Sequence, residues 1–429
     1  MGATVELDVT DVAAALGEAR ERTLALVAHI SDADLDRVHS TLMSPLVWDL
    51  GHIAAFEDLW IVHRHGHRPL LREGLAEVYD AFETPRAGRG ELDFLHPGEA
   101  REYLAAVRAR TLEVLASDGP GDGTVPELVL RHEHQHNETM LQTMQLAGLQ
   151  PFAAPARGAT RAGTEAPTGL ETVAVAAGPC LIGAADGGFA YDNERPRHRV
   201  ELPAFEIGRT PVTNRAFRAW IEDGGYARRE LWSEAGWAWR TQTGIDRPGA
   251  WSADLERERR LGHEEPLDPA RPVVHVCFYE AEAFARAHGA RLPTELEWEK
   301  AATWDPRTGR SLAGPWGDRP AAVGVHANLD QLGGGTAAAG SLPASASPCG
   351  AEQLIGDVWE WTSSEFTGYP GFAAYPYREY SEVFFDDGYR VLRGGSWATR
   401  PRVATAAFRN WDLPERRQIF SGLRIARDA

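Results

Sequence analysis

Apolar residues recur at helical spacing through the first 150 residues, then give way to short apolar runs punctuated by glycine and tryptophan. Residues 9–29 read as an amphipathic helix that Thr10 or Asp11 could cap, and 99–115 and 125–149 read the same way. Residues 48–60 form another helix-like stretch, mostly apolar or acidic around one histidine. Together these predict a helical bundle over 1–150. Residues 151–170 are rich in Pro, Ala, Gly and Thr without a periodic apolar face, and read as a linker. From 171 to 429 the strand-like runs 173–175 and 390–392 and the helical patterns 214–222 and 279–288 predict a loop-rich α+β domain. No fixed-period repeat is present, and low complexity is confined to the linker and 333–340.

The length of 429 residues agrees with two domains, being more than one hydrophobic core usually serves. Composition adds the class: 43% hydrophobic and 25% charged residues belong to an ordinary globular protein. A formal charge of -18 offers no cationic field to gather phosphates, so small molecules are expected as partners and nucleic acid is not. Residues 1–30 lack a basic start followed by an apolar core, and no apolar run approaches the ~20 residues that span a bilayer. The cytoplasm is the expected compartment, with no membrane partner. Cys180, Cys277 and Cys349 are odd in number and far apart, which argues for buried, reduced thiols rather than disulfides or a thiolate zinc site.

The candidate chemistry starts at His132 and His136. Four apart on a predicted helix, they share a face and can bind one metal ion. Two imidazoles are too few to orient a catalytic metal, and His52, in Trp48-Asp-Leu-Gly-His52, is the best third ligand. His134 points about 200° away around the helix, toward solvent or one layer out from the metal. His132-Glu133-x-x-His136 is also the zinc-protease pattern, in which the glutamate is the general base. Such proteases need a further ligand downstream, and none is visible before the linker. Three histidines without a carboxylate suit zinc as a hydrolase or iron as an oxygenase, and ligand type alone does not choose.

Four motifs in the C-terminal part, Gly208-Arg-Thr-Pro-Val-Thr-Asn214, Ala290-Arg-Leu-Pro-Thr-Glu-Leu-Glu-Trp-Glu-Lys-Ala-Ala302, Ile355-Gly-Asp-Val-Trp-Glu-Trp361 and Val391-Leu-Arg-Gly-Gly-Ser-Trp397, resemble the formylglycine-generating-enzyme-like domain in the right order. The resemblance implies an irregular α+β fold related to C-type lectins over 171–429. Residues 408–429 contain no cysteine, so the copper-binding pair of the true formylglycine-generating enzymes is missing and that activity is not expected.

The N-terminal part resembles the damage-inducible (DinB-like) four-helix bundles in which three histidines bind one metal. A DinB-like bundle followed by a formylglycine-generating-enzyme-like domain, α + (α+β) in class, is the architecture of the ergothioneine-biosynthesis sulfoxide synthases. The match extends to Trp48-Asp-Leu-Gly-His52, His132-Glu-His-Gln-His136 and Arg409-Asn-Trp-Asp-Leu-Pro-Glu-Arg-Arg-Gln-Ile-Phe-Ser-Gly422. The resemblance implies an iron(II) enzyme using O2 to join a thiol sulfur to the imidazole C2 of hercynine, oxidised to the sulfoxide. It implies iron ligands His52, His132 and His136, with Gln135 near the imidazole substrate. In the actinobacterial type the thiol is γ-glutamylcysteine, held by an aspartate and an arginine at the spacing of Asp412 and Arg416. An arginine fork takes a carboxylate while an aspartate accepts from an α-ammonium, which suits a zwitterionic γ-glutamyl end. Arg86 or Arg89 is expected at the second carboxylate, and Asn410 and Trp411 beside hercynine, whose quaternary ammonium suits an aromatic face. The family delivers a proton or hydrogen atom from a tyrosine, for which Tyr377 is the choice, with Tyr380 as neighbour and Tyr375 as fallback.

The expected protein is thus an oxidoreductase with metal from the bundle and substrate groups from the second domain, meeting at their interface. Two rivals stand beside it: a paralogue of the same fold using cysteine or a selenosugar as donor, and a non-catalytic lectin-like binding protein. The ovothiol type often adds a methyltransferase domain, for which no room is expected after residue 429.

Overall fold

A computed structural model describes residues 8–81, 83–84, 86–150 and 167–429. Most of the expected linker, 151–166, lies outside the described residues, and 167–170 are irregular. The chain divides into two compact units: the described residues up to 150 with Leu261–His263, and the rest of 167–429.

The first unit contains helices α1 (Val9–Val27), α2 (Asp32–Asp36), α3 (Leu46–Glu57), α4 (Leu75–Val78), α5 (Pro97–Asp118) and α6 (Thr124–Ala147). The cap of α1 is Asp8, not Thr10 or Asp11. A capping side chain must precede the first helical residue on extended backbone, and Asp8 does so, its Oδ1 accepting the Thr10 N–H at 2.8 Å. Proline in the first turn starts α5, and Gly148 in the left-handed region (φ 69°) stops α6, two residues inside the expected end. The helix carrying His52 runs on into a π-helical stretch, Asp58–His65.

Helix α3 packs on α5 and α6, and α1 on α6. Leu16, Trp48, Leu50, Ile53, Leu104, Val107, Leu115 and Leu141 are buried between them. One charged cluster interrupts this core. Arg20 of α1 binds Glu57 of α3 (2.7 Å) and Glu133 of α6 (2.8 Å), while Arg108 of α5 binds the same two carboxylates at 2.8 and 3.2 Å. Each charge comes from a different helix, so the box aligns all four. Its register matters because losing one partner of a buried pair typically costs about 3–5 kcal/mol.

In the second unit an antiparallel sheet places Phe205–Gly208 between Thr172–Val175 and Ala426–Asp428. A four-stranded sheet runs Asn410–Asp412, Arg390–Arg393, Trp359–Glu365, Ser421–Gly422, with Asn410–Asp412 on its edge. Helices Asn214–Glu222 and Phe278–Ala287 match the expected patterns. Glu234–Thr243 and Glu295–Thr303 are additional. The second had a legible signal: Thr294 and Glu297 form a capping box, and its Trp298 is buried, donating to Glu360 Oε2 at 2.7 Å. Cys180 and Cys277 are buried and Cys349 half-buried, all free. Among the described residues no helix is long and apolar enough to cross a membrane.

Candidate active site

Helix α3 presents His52, and α6 presents His132 and His136 one turn apart; the three offer ligand atoms within 4.8 Å of one another. His52 Nε2 lies 3.0 Å from His132 Nε2. The outer nitrogens decide which atoms face the centre. His52 Nδ1 is 2.7 Å from the Tyr79 carbonyl, which only accepts, so the proton sits on Nδ1 and the Nε2 lone pair is directed inward. His136 Nδ1 donates likewise to Asp49 Oδ1 at 2.8 Å. Trp48 stacks on His52 (4.7 Å between ring centroids, 14°) and Phe56 on His132 (3.7 Å, 9°), fixing both rings. Burial, reinforced by the neighbouring His136, holds His52 and His132 well below the usual imidazole range, keeping them neutral as ligands must be. Gly51 is required here: a Cβ on it would sit 2.1 Å from Tyr79 Cζ, displacing the loop that orients His52. The donor set fits a divalent transition metal with open coordination positions, as three neutral imidazoles do.

Glu133 takes no part in that centre. It is buried and bound by Arg20, Arg108 and the Thr23 hydroxyl (2.7 Å), so it has no access to a metal-bound water as a protease base would. His134 is 3% exposed, correcting the solvent-facing half of its expectation. The reason is that α6 packs on α1, α3 and the π-helical stretch, which buries several of its faces. Gln135 is half-buried beside His136.

The two candidate arginines part company. Arg89 is buried, with its guanidinium 3.7 Å over the Trp48 ring and its N–H groups given to Ser44 Oγ (2.7 Å), the Thr84 carbonyl (2.8 Å) and the Ala81 carbonyl (2.9 Å). Burial and the nearby Arg86 charge push it down to about 10. Arg86 is exposed.

In the second unit, Arg416 Nε stands 3.7 Å from Asp412 Oδ1, too long for a hydrogen bond, and both side chains are partly exposed. Asp412 also accepts from the Leu413 N–H (2.8 Å) and from Gln418 Nε2 (3.1 Å). Strand pairing sets Trp411 opposite Val391 and Asn410 opposite Leu392. Trp411 stacks on Phe366 at 4.2 Å and meets Tyr380 edge-on at 5.8 Å. Tyr377 meets Tyr380 edge-on at 6.2 Å, so three of the expected residues, Tyr377, Tyr380 and Trp411, form one aromatic cluster. Tyr375 is 45% exposed. Residues beyond the expected ones complete both groups: Tyr191 and Phe366 in this cluster, and Asp49, Phe56 and Tyr79 around the histidines. Asp49 and Phe56 carried a local signal, three residues before and four residues after His52 on one helix and hence on its face; Tyr79, Tyr191 and Phe366 carried none.

Comparison with known proteins agrees with this division. Residues 15–140 match the DinB superfamily and residues 159–429 the sulfatase-modifying factor enzyme 1-like domain. The chain is similar to a hercynine oxygenase of Mycolicibacterium thermoresistibile, 48% identical over 97% of this chain and 95% of the relative. A hercynine oxygenase of Mycobacterium tuberculosis is 48% identical over 96% of this chain and 97% of its own length. A formylglycine-generating enzyme of Thermomonospora curvata is 31% identical over 60% of this chain and 93% of its own length. With near-complete coverage at that identity, and with the three-histidine group in place, the chain belongs to the hercynine oxygenase family.

Proposed function

We propose that this chain is a hercynine oxygenase, an iron(II)-dependent sulfoxide synthase of ergothioneine biosynthesis. It would join the sulfur of γ-glutamylcysteine to the imidazole C2 of hercynine. One O2 is consumed: C–H and S–H are lost, a C–S bond and a sulfoxide oxygen are gained, and water leaves. The observation that carries the reading is the convergent group of His52, His132 and His136, with tautomers set by Tyr79 and Asp49, in a chain of this family. When bound there, iron(II) supplies the one-electron chemistry that O2 requires.

The protein's own groups bind and orient. Asp412 accepts from the α-ammonium of the γ-glutamyl end and Arg416 takes its α-carboxylate; their loose 3.7 Å pairing and partial exposure suit groups that part to admit a zwitterion. Arg86, exposed where Arg89 is consumed by Ser44 and two carbonyls, takes the second carboxylate. Gln135, Asn410 and Trp411 contact hercynine, its trimethylammonium against aromatic rings. Tyr377, with Tyr380 beside it, delivers the proton that directs reaction to the coupled sulfoxide rather than to a sulfinate.

An aerobic assay with iron(II), hercynine and separate thiols, read by mass spectrometry, tests this. Coupled sulfoxide with γ-glutamylcysteine is expected; coupling only with cysteine or a selenosugar would move the chain to a paralogous donor, and no coupling with any would leave a binding protein. Tyr377→Phe should still consume O2 while shifting product from sulfoxide toward γ-glutamylcysteine sulfinate. A shift in Tyr380→Phe or Tyr375→Phe instead would transfer the role.

A further inference from the structure

Tyr377 and Tyr380 sit on a short loop whose two ends meet one buried carboxylate. Asp192, 2% exposed in the turn Asp192–Glu194, accepts the Tyr375 N–H on Oδ2 at 3.3 Å and the Ser381 hydroxyl on Oδ1. Its neighbours complete the hold. Asn193 Nδ2 donates to Ser381 Oγ at 2.9 Å, and the Tyr191 ring lies flat on Tyr380, 4.2 Å between centroids and 7° from parallel. The turn is in turn anchored to the core: Arg409, fully buried against Glu295 (2.8 Å), donates to the Asn193 carbonyl at 2.9 Å. Arg409 immediately precedes Asn410–Asp412, so one buried guanidinium ties down both the clasp and the edge strand carrying the expected substrate groups.

We infer that Asp192 is a positioning residue for Tyr377: by closing the 375–381 loop at both ends, its carboxylate fixes where the Tyr377 hydroxyl stands. The inference rests on the reading of Tyr377 as proton donor. A donor must be held within a few tenths of an ångström of its productive place, and a loop open at both ends does not hold it so. Neither Asp192 nor Ser381 need touch substrate.

The test uses the full-length, iron-loaded enzyme with two readouts: hydrogen exchange over 375–381, and the sulfoxide-to-sulfinate ratio. Losing a charge-assisted bond at each end in Asp192→Ala should speed loop exchange about tenfold. The product ratio should fall about fivefold, with KM for both substrates within about twofold of wild type. Ser381→Ala, which frees one end only, should give smaller changes of the same sign and carries the test if Asp192→Ala fails to fold. Asp192→Asn, keeping one acceptor oxygen, should recover part of the ratio. In a Tyr377→Phe background, Asp192→Ala should leave the ratio where Tyr377→Phe alone puts it. Unchanged exchange in Asp192→Ala and Ser381→Ala would overturn the clasp. Faster exchange with a wild-type ratio, where Tyr377→Phe shifts it, would overturn the positioning role. A wild-type ratio in Tyr377→Phe itself would fail the Tyr377 reading and remove the inference with it, whatever the loop exchange shows.

Discussion

Asp49 Oδ1 accepts the Nδ1 proton of His136 at 2.8 Å from a position three residues before His52 on the same helix. Helix α3 therefore supplies one imidazole and orients another. Asp49→Asn should lower iron(II) affinity about 10–100-fold in a folded protein, the usual cost of losing such an orienting partner. His132→Ala or His136→Ala should retain under about a tenth of the metal, since two ligands hold far less tightly than three. Changing His134 should leave metal content near wild type. Equal iron in wild type and both alanine variants, by elemental analysis, would remove the assignment.

Glu133 stands one residue from His132 yet serves the arginine box. Glu133→Gln should destabilise the protein by about 3–5 kcal/mol in urea unfolding, because Arg20 and Arg108 stay buried with one carboxylate fewer. A protease would behave otherwise, losing peptide hydrolysis at unchanged stability.

Asp412→Asn and Arg416→Leu should each raise KM for γ-glutamylcysteine about tenfold or more, the equivalent of a charge-assisted contact of ~1.5–3 kcal/mol. Free cysteine lacks the γ-glutamyl end and should suffer less. A preference between the two thiols that neither variant alters would place that end elsewhere.

His275 gives the second unit a pH dependence. Burial first, then the Arg417 charge, pushes it down to about 4, while its Nδ1–H reaches the Arg417 carbonyl at 3.1 Å. The unfolded chain takes up a proton near 6.5 and the folded one only near 4, so stability falls as pH drops through that window. Between pH 7.5 and 5.5 this one group should cost about 1 kcal/mol. His275→Gln should flatten the urea-unfolding difference between those pH values by that amount; an unchanged difference would assign the acid sensitivity elsewhere.

The histidine pair, the helices around it and the change of character near residue 150 were legible along the chain because they are local: i, i+4 spacing and a 3.6-residue period place side chains before any packing occurs. Motif resemblance carried the family. Sequence order could not say that Glu133 faces two arginines while His132 faces another histidine, since adjacent helical residues differ by about 100° and only the packed neighbours decide what each direction meets. Nor could it separate Arg86 from Arg89. Both are arginines in one short segment, and it is Ser44, Trp48 and two carbonyls, brought together by folding, that bury one and leave the other exposed. The clasp of Asp192 on Tyr375 and Ser381 spans more than 180 residues of chain. Contacts at that separation leave no periodic trace in a single sequence; they exist because the sheets and their buried ion pairs bring the segments within hydrogen-bond reach.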